Sequence, residues 1–196
     1  MPESIGTRID ELLAQVGSHR RAKNYDGLDD ASDKLGKLTS VLKGMIAYEH
    51  MRAWVQIAEG QVGQDKAASL QAAITFSLES RDSAENGGDR IGALFADMVR
   101  SDIEESIDTL RVALFEAERL AHDVSDDESA RLQRLIMNLQ LHLINRTIDA
   151  GVATVDEVNG WVASLSANQI YLQVTSEGRK EVEMQKVEAF LAAAQH

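Results

Sequence analysis

The chain contains no cysteine, which excludes a disulfide scaffold, a thiolate zinc site and a thiol nucleophile. Its single proline is Pro2, so no later helix interior is interrupted by that residue. Only nine side chains are aromatic. No apolar run approaches the ~18 residues of a spanning helix. Met1–Val16 has neither a basic segment nor an apolar segment of the kind that makes a signal peptide. The expectation is therefore no membrane partner and a cytoplasmic protein, or a virion component if the chain is viral. Phosphate-binding, dinucleotide-binding and nucleophile-elbow glycine patterns are missing, as is His-Glu-x-x-His. The Glu-x-x-His pair of ferritin-type bundles is missing too. These absences lean away from an enzyme and give no reason to expect a cofactor.

What is present favours helix. Ala, Leu, Glu, Arg and Gln are abundant, and 44% of the residues are hydrophobic, enough to build a core. The net charge of −12 is placed unevenly. Residues 1–52 carry eight basic and eight acidic side chains, whereas residues 53–196 carry twelve and twenty-four. Asp97–Glu128 alone holds eleven acids against Arg100, Arg111 and Arg119. Such a field repels phosphates, so no direct nucleic-acid binding is expected.

The most informative stretch is Ser129–Ala150. At 100° per residue its apolar side chains fall into two stripes. Leu132, Leu135, Ile136, Leu139 and Leu143 form one; Met137, Leu141, Ile144 and Ile148 form the other, roughly 150° away. A helix with two apolar faces needs cover on two sides, which predicts a central helix over residues 127–150. Ser125-Asp126-Asp127-Glu128 reads as its capping box and Gly151 as its stop. Between the stripes runs a polar seam of Arg131, Arg134, Asn138, His142, Asn145 and Asp149.

Around that helix the pattern predicts an all-α antiparallel bundle of six to eight helices, a single domain over residues 1–196. Thr7 is the expected cap of a first helix, and residues 7–59 read as an N-terminal helical hairpin. Gly36 and Gly44 inside the second helix invite close approach of a neighbour. A third helix is expected over Asp65–Ser80, and Ser83–Asp89 reads as a loop and a possible sub-boundary. Ser101-Asp102-Ile103-Glu104 reads as a helix restart. It leads into a seam of Ile103, Ile107, Leu110, Leu114, Ala117 and Ala121, from which Val112 and Phe115 project toward a second contact. Ile170–Val174 alternates like a strand but has nothing to pair with, so helix or extended linker is expected. Ser176–Gln195 reads as the last helix.

For function, the expectation is a non-catalytic interaction, adaptor or assembly protein in an oligomer or a larger complex such as a virion, with a protein partner or self-association. The polar seam residues are its candidate interaction residues. One alternative is a metal-binding bundle enzyme or carrier. Glu118 and His122 stand four apart on a helix, and His142 lies on the next one, so the three are candidate ligands. Another is an acidic decoy of nucleic acid that occupies a basic protein partner through Asp97–Glu128.

Overall fold

The computed structural model describes residues 5–22, 24–174 and 177–194, with side chains given for all but Ile5, Gly6, Thr7, Leu28, Asp126, Asp127, Val174 and Arg179. Among the described residues the chain is all α-helix: nine helices, eight of them seven residues or longer, and no strand. They are α1 (Ile5–Ala22), α2 (Tyr25–Glu59), α3 (Gly63–Gly87), α4 (Arg90–Ile103), α5 (Ile107–Leu120), α6 (Asp126–Asp149), α7 (Val155–Ala167), α8 (Gln169–Val174) and α9 (Glu177–Ala193). None of the described helices is long and apolar enough to cross a membrane. The helices form two compact units, Met1–Ala96 and Asp97–His196.

In the first unit, α2 is 35 residues and α3 is 25, or about 53 Å and 38 Å at 1.5 Å per residue. Asn24 caps α2 by accepting the Gly27 N–H at 3.1 Å. The short Gly60–Val62 connection returns α3 along α2. The buried positions of α3 are all small: Ser69, Ala73, Ser77, Ser80 and Ala84, spaced 4, 4, 3, 4. Gly44, Ala47, Met51 and Ala58 are buried on α2. Small side chains let the two backbones meet. A Cβ at Gly44 would stand 3.1 Å from Ser80 O and 3.2 Å from Ala84 N. Ser80 Oγ donates to Gly44 O at 2.9 Å across the same contact. Close approach at Gly44 thus holds, while Gly36 has no neighbour within 4 Å.

This packing also corrects the reading of Ser83–Asp89 as a loop. Ser83–Gly87 is helical, and the turn is confined to Gly88 (φ +80°) and Asp89. Gly87 serves contact and not flexibility, since a Cβ there would lie 2.9 Å from both Lys37 O and Val41 N. α1 packs on α2, where Ala31 is buried. It begins at Ile5, before the expected cap; the Thr7 side chain lies outside the described ones.

In the second unit α6 packs on α5, α7 and α8. Leu132, Leu135, Leu139 and Leu143 of the first stripe are at most 2% exposed. Met137, Leu141 and Ile144 of the second form a core with Val158, Leu165, Tyr171 and Val187, with Ile148 packed against it. Gly151 (φ +67°) follows the helix as expected. Ser125 is the N-cap of α6, and its hydroxyl bonds to Glu128 at 3.0 Å. Thr154 and Glu157 make a full capping box on α7.

The expected restart at Ser101 is displaced. α4 continues to Ile103, and Ser101 Oγ donates to Asp97 O inside it. Glu105 then takes a left-handed conformation (φ 56°), and Ser106 caps α5 by accepting the Thr109 N–H. Ile170–Val174 falls in the short helix α8. Leu110, Leu114 and Ala117 of the α5 seam are buried; Ala121 is exposed, as are Val112 (62%) and Phe115 (59%), which the sequence places in a second contact.

Candidate interaction surfaces

The C-terminal half of the α6 polar seam is engaged within its own unit. Asp102, in the last turn of α4, accepts hydrogen bonds from His142 Nδ1 (3.2 Å) and from Arg146 Nε (3.1 Å) and Nη2 (2.9 Å). Arg146 Nη2 also donates to the Asp102 carbonyl at 2.9 Å, and Nη1 pairs with Glu105 at 3.4 Å. The His142 hydrogen bond, joined by the Arg146 guanidinium and opposed by partial burial, holds the Asp102 carboxyl at about 2, well below its ordinary 3.8. Further along, Lys186 of α9 donates to Asn145 Oδ1 (3.1 Å) and pairs with Asp149 (2.8 Å). Chemically this is a charge-assisted clamp tying α4 and α9 to α6.

Of the six candidate seam residues, then, His142, Asn145 and Asp149 are tied to α4 or α9. Asn138 is half-buried, and Arg131 and Arg134 are exposed toward the N-terminal end. The clamp residues that the sequence does not single out for this role are Asp102, Glu105, Arg146 and Lys186. Arg146 carried a usable signal, since it follows His142 by four and shares its helix face. Asp102 and Lys186 lie about 40 residues from their partners, beyond any local pattern.

Glu118 lies on α5 and His122 in the turn after it, both exposed, while His142 points to Asp102. Partial burial pushes the Glu118 carboxyl up. Among the described residues no three His, Asp or Glu side chains are gathered where they could hold a metal ion, so these three are not assembled as a ligand set. A narrow apolar cleft among Leu141, Ile144, Val162, Leu165, Tyr171 and Met184 has room for about one water.

A second surface lies on α2. The face turned away from Gly44, Ala47 and Met51 carries Leu35, Leu38, Leu42, Met45, Ile46, Ala53 and Ile57, with the exposed Glu49 and Gln56 among them in its second half. α1 has 18 residues, about 27 Å, and so spans only the first half of α2. Leu35, Leu38 and Leu42 lie in the spanned half and are half-buried. Beyond it the row continues uncovered: Met45 is 50% exposed, Ile46 59% and Ile57 46%.

Comparison of the chain with protein-family models, with curated proteins and with solved structures finds no match.

Proposed function

We propose that the protein is a non-catalytic helical interaction or assembly protein, working in an oligomer or a larger complex such as a virion or a cytoplasmic assembly. The observation that carries this reading is the apolar row on α2 that outruns α1. Apolar side chains that follow one helix face at core spacing, yet remain in water, are what a docking helix presents. A rigid carrier accompanies them, because α2 is backed by α3 through backbone-close contact. In the second unit we read α6 as the central helix of an antiparallel packing, supported by burial of both its stripes and by its contacts with three other helices.

The experiment is light scattering over a range of concentration and salt. Mass should rise above one chain's 21.5 kDa with concentration, and added sulfate should strengthen the association, as it does for apolar contacts. A mass of one chain under every condition would overturn the self-assembly form of this reading. Weakening by salt would mean that charge pairs, and not apolar side chains, dominate the contact.

A further inference from the structure

The uncovered row on α2 is built to meet itself. We propose that its occupant is a second copy of the chain, with the two α2 helices packed antiparallel about a two-fold axis near Met51. The proposal rests on the assembly reading above and names its partner.

Three observations lead there. First, the row continues an existing helix–helix contact: the half of it that α1 spans is half-buried, and the same face runs on past that span into water. Another helix is therefore the shape that fits. Second, the side chains on this face are self-complementary. At 100° per residue, Ile46, Ala53 and Ile57 lie within about 40° of one another, and Met45, Glu49 and Arg52 form the adjoining edge within about 60°. In a two-fold antiparallel pair each edge faces its own copy, and a contact of residue i with residue j is repeated as j with i. An axis near Met51 sets Ile46 against Ile57 of the second copy on one edge. On the other it sets Glu49 against Arg52 of the second copy. Ala53 between them leaves the helices room to approach.

Third, Glu49 and Arg52 are available for the role. Their side chains are 68% and 55% exposed, and they meet each other within α2 only at 3.5 Å. The contact stretch from Ile46 to Ile57 is short, about 18 Å of helix. Its footprint falls well below the ~800 Å² per partner of a stable complex, so the association is weak and concentration-dependent. Its dissociation constant should lie between about 10 μM and 1 mM.

The test is sedimentation equilibrium on the full chain across that range, with wild type, Glu49→Arg, Arg52→Glu and an equal mixture of the two variants. Each single variant places like charges opposite one another at both symmetry-related contacts and should weaken self-association by about tenfold or more. Mixing them sets opposite charges at both contacts again and should restore association to near the wild-type level. Both positions are exposed, so the helical circular-dichroism signal should be unchanged in either variant. Association that neither single variant weakens would overturn the α2 pairing and leave the assembly reading standing on another surface. A mixture no tighter than its components would overturn the antiparallel register. Wild type at the mass of one chain throughout would overturn this proposal together with self-assembly.

Discussion

Replacing the glycines of the first unit by alanine, one at a time, tests whether α2 and α3 meet backbone to backbone. At Gly36 no atom lies within 4 Å of the new methyl, so only the helix propensity changes and the protein should gain about 1 kcal/mol. At Gly44 the methyl meets Ser80 O at 3.1 Å and Ala84 N at 3.2 Å. A shift of a few tenths of an ångström accommodates it, and the propensity gain of about 1 kcal/mol should be nearly cancelled. At Gly87 the methyl would stand 2.9 Å from Lys37 O and Val41 N and 2.5 Å from Val41 Cγ2. Two of those atoms are backbone and cannot rotate away, so the helices must part. Overpacking of this kind costs about 1–3 kcal/mol, and the helix-end position recovers little of it. Urea midpoints followed by the helical signal should therefore rank Gly36→Ala above Gly44→Ala above Gly87→Ala, with about 2–4 kcal/mol between the extremes. A Gly87→Ala protein as stable as Gly36→Ala would refute the close approach.

Leu139→Ala and Ile144→Ala sit on opposite stripes of α6, at 0% and 4% exposure, and each should cost about 2–5 kcal/mol in chemical unfolding; a harmless Ile144→Ala would mean that the second stripe is not core. Asp102 is held at about 2 instead of 3.8, so its contribution is full above pH 3.8 and is lost as pH falls toward 2. The shift corresponds to roughly 2.4 kcal/mol before screening, and at 36% side-chain exposure about 1 kcal/mol is the reasonable share. Unfolding of wild type against Asp102→Asn should show that difference at neutral pH and its disappearance near pH 2; a pH-independent gap would sink the clamp as its source. Thr154→Ala removes one arm of the α7 capping box and should cost about 1 kcal/mol, read as a shift in the urea midpoint.

The parts of the fold legible in the sequence were those set by local period. The two stripes of α6 follow from its 3.6-residue repeat, and both are buried because the repeat and the burial have the same cause. The stop at Gly151 is equally local. Glycine misled where it had two uses: Asn86-Gly87-Gly88-Asp89 looks like a turn, yet Gly87 is a packing residue and only Gly88 turns the chain. Ser101 and Ser106 are both good caps by type. The choice between them fell to tertiary structure, which keeps Ser101 wholly buried in α4 and sets Glu105 in a left-handed turn. On the candidate surface, the seam's polarity was readable but its partners were not, because Asp102 and Lys186 come from helices about 40 residues away. That α1 stops short of the second half of α2 needed the helix lengths.

The small-residue seam between α2 and α3 has a thermal consequence. Glycine and alanine have almost no rotamer freedom to surrender, whereas leucine loses about 0.5–1 kcal/mol of it on burial. Joining these two helices therefore orders few side chains, and what draws them together is dispersion between closely spaced backbones more than removal of a large apolar area from water. Heat capacity on unfolding follows exposed apolar area. The first unit should accordingly unfold with a small heat-capacity change for its length, and its stability should vary little on cooling, where proteins built on leucine-filled cores weaken.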